Sequence, residues 1–452
     1  MESLRSVLGK IRPTAMSGER ERRFVDGVLA RLRKSSPGAK ALLAGSFAKG
    51  TFLEGDKDVD IFLLFRHDVE KEALEGLVRA AVENAFPGVK LVKGGTPPPS
   101  ARAAFYQIAY AEHPYVRVFF QGRKIDVVPA YEAGHGRHFE LKSSVDRSQL
   151  HTEYVLSKMN AAQKDEVRLL KKFLKSNCLY GAEIRVQGYS GYLCELLMLK
   201  YGTFARSAEA FASWGERTFM DLEGKLDERK ALEKFCTPLV VIDPVDPERN
   251  VSAVVSAENY SALIALARAF LSSKDKASFF SKREYSAAQL ARLMRGRNIY
   301  CVSFSAPDVV DDVLWGQVRR YQSALSSALN KGGFEIIGGA TERCGNEICI
   351  LFEILNPQLP DAKLVAGPPL QFRADCGKFA SQYGKFPLLI HGGRLCALTR
   401  RKARTPEEML PALRRLPLPS HLSSARHAKL YKGGKAISNC REALRRYFSM
   451  QR

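Results

Sequence analysis

The stretch Asp58-Val59-Asp60, running straight into Ile61-Phe62-Leu63-Leu64-Phe65, constrains this chain more than any other. An unbroken apolar run of that length reads as a buried strand. Alternate side chains of a strand share a face, so Asp58 and Asp60 project the same way, roughly 6.5–7 Å apart along the backbone. Two carboxylates at the mouth of a buried strand repel each other unless a cation lies between them. Magnesium, a hard ion that prefers oxygen ligands and substrate phosphates, meets that need. Just upstream, Gly45-Ser46-Phe47-Ala48-Lys49-Gly50-Thr51 supplies a Gly-Ser turn whose backbone N–H groups and hydroxyl suit a phosphate. A lone Asp-x-Asp is usually a solvated strand end, and the turn before it and the apolar run after it set this one apart. A third acid, Asp126, lies in the β-branched run Arg123-Lys124-Ile125-Asp126-Val127-Val128-Pro129, where an unpaired carboxylate is costly to bury. Three carboxylates on adjacent strands can hold two metal ions roughly 3.5–4 Å apart, which stabilises both attacking and leaving oxygens in phosphoryl or nucleotidyl displacement. The residues imply metal-assisted nucleotide chemistry.

The 452 residues allow three or four domains at about 100–200 residues each. No apolar run approaches the roughly 18 residues of a membrane span. The segment Met1-Glu2-Ser3-Leu4-Arg5 has no signal-peptide core, so a soluble, cytoplasmic protein with no membrane partner is expected. The nine cysteines contain no Cys-x-x-Cys pair. Cys344 and Cys349 stand nearest each other without a second pair at zinc spacing, so reduced, mostly buried thiols are expected rather than zinc. The net charge of +22 exceeds what solubility requires and favours a polyanionic partner. Between residues 391 and 452, Glu407, Glu408 and Glu442 are the only acids among fifteen Lys and Arg. With no aromatic-rich amphipathic helix to lie on a membrane, nucleic acid is the better match.

Three regions follow from the pattern: an α/β head over residues 1–142, a helical neck over 143–255, and an α+β body with a basic tail over 256–452. In the head, Phe24, Val28 and Leu32 mark a helix. Strands are expected at Leu42-Leu43, Asp58 to Phe65, Val116 to Phe120 and Ile125 to Val128, the last two forming a hairpin across Gln121-Gly122. This makes a mixed sheet with its acids at one edge. Gly94 to Pro99 reads as a loop. In the neck, Val167, Leu170, Phe173 and Leu174 define one helix face, and Tyr192 to Tyr201 is a second, apolar helix. Asp243-Pro244-Val245-Asp246-Pro247-Glu248-Arg249-Asn250 reads as a proline-stiffened loop. Further on the chain predicts helices at Tyr260 to Leu271 and Asp311 to Asn330. Strands are expected at Tyr300 to Phe304, Phe334 to Ile337 and Ile348 to Leu355. A hairpin crosses His391-Gly392-Gly393, and a single antiparallel sheet accounts for the region.

At this point the residues resemble the archaeal-type (class I) CCA-adding enzymes, tRNA nucleotidyltransferases of the DNA polymerase β superfamily. The Gly45-Ser46 turn with Asp58, Asp60 and Asp126 is shared by that whole superfamily. More specific are Tyr110-Ala111-Glu112-His113-Pro114-Tyr115-Val116, Asp146-Arg147-Ser148-Gln149-Leu150-His151, Glu166-Val167-Arg168-Leu169-Leu170-Lys171 with Tyr180-Gly181-Ala182-Glu183, Gly188-Tyr189-Ser190-Gly191-Tyr192-Leu193, and the Asp243 to Val251 segment. The resemblance spans essentially the whole chain and is strongest through residue 255. It departs at Lys49, where the Gly-Ser-x-x-Arg-Gly pattern has arginine. A point charge still holds phosphate there but loses bidentate geometry. Asp58 stands where the family carries Glu or Asp.

The resemblance implies a polymerase β-like head and template-independent addition of CCA to the tRNA 3′ end from CTP and ATP, with release of pyrophosphate. It implies Mg2+ held by Asp58, Asp60 and Asp126, phosphate contacts from Gly45, Ser46 and Lys49, and nucleotide contacts from His151, Lys171, Tyr180 and Arg249. Arg249 is the candidate for the base edge, although it could simply pair with Asp246. Glu112 and His113 are read as structural. Arg400, Arg401 and Lys402 are candidates for gripping the tRNA acceptor stem and elbow through its phosphates. Relatives suggest a homodimer, though no interface is readable in the residues. Rival readings are a poly(A) or terminal uridylyl polymerase with the same acids, a non-catalytic RNA-binding protein, and a DNA repair polymerase. The last lacks helix-hairpin-helix segments here, and three retained, mutually repelling acids argue against a retired site.

Overall fold

The computed structural model describes residues 4–92, 104–110, 114–132 and 147–451. Glu112, His113, Asp146, the loop near Gly94 to Pro99 and the boundary at residue 142 lie outside them. Its contacts divide into two compact units. One runs to Glu284 and takes in Asp308–Gly316 and the segment from Ser449, and the other comprises Tyr285–Pro307 and Gln317–Phe448.

In the head, α1 (Leu4–Ile11) and α2 (Ala15–Ser35) lead into β1 (Lys40–Ala44), α3 (Gly45–Lys49), β2 (Asp58–Phe65) and α4 (Leu74–Ala85). Four strands follow: β3 (Lys90–Leu91), β4 (Phe105–Tyr110), β5 (Pro114–Phe120) and β6 (Arg123–Tyr131). Their order in one mixed sheet is β1-β2-β6-β5-β4-β3, with β2 parallel to β6 and antiparallel to β1. One face packs Val59, Ile61, Leu63, Ile125 and Val127 against Val25, Val28 and Leu32 of α2 and Val78, Ala81 and Val82 of α4. That burial fixes the register, because a one-residue slip would turn these side chains outward. The opposite face carries Asp58 and Asp60 ahead of Phe62 and Leu64. The β5–β6 hairpin turns on Gln121 (φ 49°) and Gly122 (φ 70°), both left-handed as a tight turn of this hand demands. The acids are not at the sheet's edge, as expected from the sequence, but on its second and third strands.

The neck contains α5 (Arg147–Lys158), α6 (Ala161–Ser176), α7 (Gly191–Tyr201), α8 (Phe204–Ser213), β7 (Thr218–Met220), α9 (Glu228–Lys234), β8 (Leu239–Asp243), β9 (Asp246–Asn250) and α10 (Ala257–Ser272). Asn160 caps α6 by accepting from Gln163 N while the Gln163 side chain answers, a capping box. The helices enclose a core of Phe173, Leu174, Leu196, Leu197, Phe204, Phe211 and Phe270, so α10 belongs to the same core. The segment Asp243 to Asn250, expected as a loop, is the turn and second strand of an antiparallel pair in a small sheet ordered β7-β8-β9. Pro244 lies in the turn, as expected, whereas Pro247 misleads, since an edge strand tolerates a missing N–H.

The body holds α11 (Ala287–Leu293), β10 (Ile299–Ser305), α12 (Asp311–Gly332), β11 (Ile336–Cys344), β12 (Glu347–Ile354), β13 (Ala362–Pro369), α13 (Arg373–Tyr383), β14 (Leu388–His391), β15 (Arg394–Arg400), α14 (Pro406–Leu413), β16 (Lys429–Lys432), α15 (Gly434–Asn439) and α16 (Arg441–Ser449). It builds two antiparallel sheets rather than one: β11-β12-β10-β16 and β13-β15-β14. The basic C-terminal stretch is folded into the body. β16 pairs with β10, and Leu444, Tyr447 and Phe448 of α16 are buried against Leu351 and Ile299.

Candidate active site

A row of paired positions crosses four strands of the head sheet. Ala44 stands opposite Asp60, Asp60 opposite Asp126, and Asp126 opposite Arg117. Paired residues project to one face, and Asp58, two residues before Asp60, shares it. The parallel pairing of β2 with β6 thus brings the three acids together, although 66 positions separate Asp60 from Asp126 in the chain. Burial raises the Asp60 carboxyl to about 6, and the charges of Asp126 and Asp58 add to that rise against the pull of Lys124 and Lys49. Asp126 accepts from Arg117 Nε and Nη2 at 2.8 and 3.0 Å. Lys124 Nζ lies 3.2 Å from Asp58. With those cations in place, the three acids do not each bring an oxygen within 4.8 Å of the other two.

Gly45 enters α3 at φ +64°, and a Cβ there would lie 1.9 Å from Asp60 Oδ2. Only glycine lets the backbone pass so close to the acid. The expected turn is therefore a short helical segment, ended by Gly50 in the left-handed conformation. Gly45, Ser46, Lys49, Asp58, Asp60, His151, Lys171 and Tyr180 all line one cavity of about 460 Å³. Asp126 and Arg249 are not in its wall.

In that same wall lies a charge cluster the sequence did not disclose. Glu195 of α7, with no exposed surface, receives Lys49 Nζ at 2.5 Å and Thr51 Oγ1 at 2.7 Å. Lys171 Nζ donates to Thr51 Oγ1 at 2.9 Å and lies 3.5 Å from Glu195. Burial depresses the Lys171 ammonium, with Glu195 opposing. Burial would raise Glu195, but Lys49 and Lys171 hold it below the ordinary carboxylate value. Lys49 also sits 5.3 Å over the Tyr192 ring. The available signal was one acid inside the apolar run Leu193-Cys194-Glu195-Leu196-Leu197, which must find a cation to be buried.

A second hub is Asp243. His151 Nε2 lies 2.8 Å from its Oδ2, Arg249 Nη1 donates to the same oxygen at 2.7 Å, and Tyr192 OH donates to Oδ1 at 3.3 Å. His151 stacks on Tyr192 with ring centres 4.0 Å apart. Burial lowers the His151 pKa, with Asp243 opposing. Arg249 pairs with Asp243 rather than Asp246, which is taken by Arg147. Tyr180, its phenol pushed up by burial, has Lys175 Nζ 5.2 Å over its ring.

In the body, Arg400 and Lys402 are exposed, whereas Arg401 is half-buried and donates to the Gly332 carbonyl at 2.9 Å, closing the end of α12. Arg401 thus has a structural task that the run of basic residues concealed.

Acids paired on one sheet face beside a glycine-started helical turn define a nucleotidyltransferase head. Residues 25–151 match the family model described as nucleotidyltransferase domain. Enzymes of this class generally use divalent metal ions. Residues 165–281 match the second domain of tRNA nucleotidyltransferase, and 295–427 the C-terminal domain of CCA-adding enzyme. The chain is 37% identical over 400 residues to the CCA-adding enzyme of Methanoregula boonei, covering 85% of this chain and 81% of that one. It is 33% identical over 415 residues to that of Methanocaldococcus jannaschii, covering 89% and 88%. The chain belongs to the archaeal CCA-adding enzyme family, the tRNA nucleotidyltransferases of CCA addition. Among solved structures, a cytoplasmic RNA terminal U-transferase is similar with TM-score 0.44 and 14% identity, over 62% of this chain and 97% of that one. The Cid1 poly(U) polymerase with Mg 3′-dATP bound gives 0.45 and 14%, over 61% and 96%. Among the described residues, no helix is long and apolar enough to cross a membrane.

Proposed function

We propose that this chain extends the tRNA 3′ end by transferring CMP and then AMP from CTP and ATP at the Asp58/Asp60/Asp126 face, with release of pyrophosphate. The carrying observation is the register that pairs Asp126 with Asp60, which, with Gly45, lines a cavity shared with His151, Lys171 and Tyr180. An all-oxygen donor set whose buried member resists ionising suits a hard divalent cation, Mg2+ above all. When bound, such ions lower the pKa of the attacking hydroxyl and neutralise the leaving pyrophosphate. Asp58, Asp60 and Asp126 would hold them, with Arg117 and Lys124 yielding their present partners. Gly45 keeps the backbone close to Asp60, and Ser46 offers a hydroxyl to the triphosphate. Lys49 and Lys171, fixed by Glu195, present positive charge to the cavity without wandering into it. His151 and Arg249, both held by Asp243, are ordered before nucleotide arrives, with Arg249 toward the base edge. Exposed Arg400 and Lys402 contribute phosphate contacts to the tRNA acceptor stem and elbow. A homodimer belongs to the same proposal, by resemblance alone.

The test supplies tRNAs ending at the discriminator base, at C and at CC, with CTP, ATP and magnesium, and sequences the products. Growth that stops at CCA is expected, and continued extension would favour a polymerase instead. Asp58→Ala with Asp60→Ala should abolish incorporation while tRNA affinity stays. Full activity in that double variant would overturn the site.

A further inference from the structure

Four cysteines from separate segments converge in the body, none of them among the residues assigned to nucleotide transfer. On β10 and β12, Ser303 stands opposite Cys349 and Cys301 opposite Leu351, so Cys301 and Cys349 are diagonal neighbours on one sheet face. Cys440, between α15 and α16, comes down on that face, and all three thiols are fully buried. Their sulfurs lie within 4.8 Å of one another, the only such group of three His, Cys, Asp or Glu ligand atoms among the described residues. Cys344, at the end of β11, is diagonal to Cys349 in turn, since Glu342 stands opposite Cys349. Cys344 packs against the cluster of Cys301, Cys349, Cys440 and Ala443. None of the four is in a disulfide.

A buried cysteine packs well as a small hydrophobe, and one or two would need no further account. Three that meet from β10, β12 and the α15–α16 junction, with Cys344 of β11 packed against them, supply the four donors of a tetrahedral site. With zinc–sulfur bonds of about 2.3 Å, tetrahedral sulfurs stand roughly 3.8 Å apart. For Cys301, Cys349 and Cys440 the present limit of 4.8 Å is therefore about an ångström from closure, and Cys344, outside that limit, would swing in to complete the set. Four thiolates around a divalent ion leave two negative charges. The N-terminus of α16, which begins at Arg441 directly after Cys440, is suited to offset part of that charge.

We propose that Cys301, Cys344, Cys349 and Cys440 form a structural tetrathiolate site for zinc, clipping the four-stranded sheet to the α15–α16 junction. The sequence hid it because no two ligands have finger-like spacing. Cys344 and Cys349 are five apart, and the other two lie 43 residues before and 91 after that pair.

The full-length protein, expressed with zinc in the medium and passed over chelating resin, is assayed for metal by plasma mass spectrometry. About one tightly held zinc per chain is expected, with intense thiolate-to-cobalt charge-transfer absorption after cobalt exchange. Cys301→Ser and Cys440→Ser should each lose the metal, whereas Cys236→Ser, at an exposed cysteine away from the cluster, should keep it. Should the cluster variants fail to fold, the metal count and cobalt spectrum of the unaltered protein decide. Four freely titrating thiols without stoichiometric metal would overturn the proposal. So would a disulfide found by alkylation before reduction, or zinc retained in both cluster variants.

Discussion

Glu195 is the residue whose replacement tests the charge cluster most directly. It is fully buried, and Lys49 at 2.5 Å and Lys171 at 3.5 Å share its carboxylate. Glu195→Gln keeps the shape but leaves two ammonium groups, one of them wholly enclosed, without a counter-charge. Breaking a buried pair on one side costs about 3–5 kcal/mol. The lower end is expected here, because Lys49 lines the cavity and can turn toward water while Lys171 can shed its proton. Replacing Lys171→Met together with Glu195→Gln should restore part of the loss, a coupling of about 0.5–3 kcal/mol for residues in one network. Urea unfolding followed by tryptophan fluorescence suits the measurement, since Trp214 and Trp315, the two tryptophans, both lie in the unit that contains the cluster. The pH dependence carries the sign. Glu195 has a lowered folded pKa, so its contribution is complete above its unfolded value of 4.5 and disappears as pH falls through the folded one. The variant should lack that acid limb. A cost below about 1 kcal/mol, the range of a surface ion pair, would refute the reasoning, as would strict additivity of the two single changes.

Gly45→Ala should lose nucleotide incorporation and about 1–3 kcal/mol, from left-handed strain and the clash with Asp60; unchanged turnover would refute the close approach. Asp243→Asn frees His151 and Arg249 together, so KM for CTP and ATP should rise while KM for tRNA holds. His151 has a lowered folded pKa, so the unfolded chain takes up its proton first as pH falls through 6.5 and stability drops there; His151→Gln should flatten that slope in a urea titration. Arg400→Gln with Lys402→Gln, sparing Arg401 for its bond to Gly332, should weaken tRNA binding and lower the salt slope by about 1 per lost phosphate contact.

Much of this molecule can be read along the chain. The four-residue spacing of Phe24, Val28 and Leu32 is a helix because that period makes a stripe. Gln121-Gly122 is a hairpin turn in which Gly122 takes left-handed backbone freely and the two-residue connection holds Gln121 there too. The shared face of Asp58 and Asp60 follows from strand pleating alone. Other features have no local signature. Pro244 does sit in a turn, but Pro247, read with it as loop, lies in an edge strand, because neighbouring backbone rather than propensity decides pairing. Arg400, Arg401 and Lys402 look alike in sequence, but only Arg401 lies beneath the end of α12. By itself the sequence determined periodicity, the glycine beside the acids, the excess of positive charge and the family. Tertiary structure alone decided that Arg117 and Lys124 engage the acids, that Glu195 binds both lysines, that Asp243 holds His151 with Arg249, and that four scattered cysteines pack together. The physical reason is distance: propensity and periodicity act over a few residues, whereas charge pairing and metal geometry depend on which remote strands the hydrophobic core brings into register.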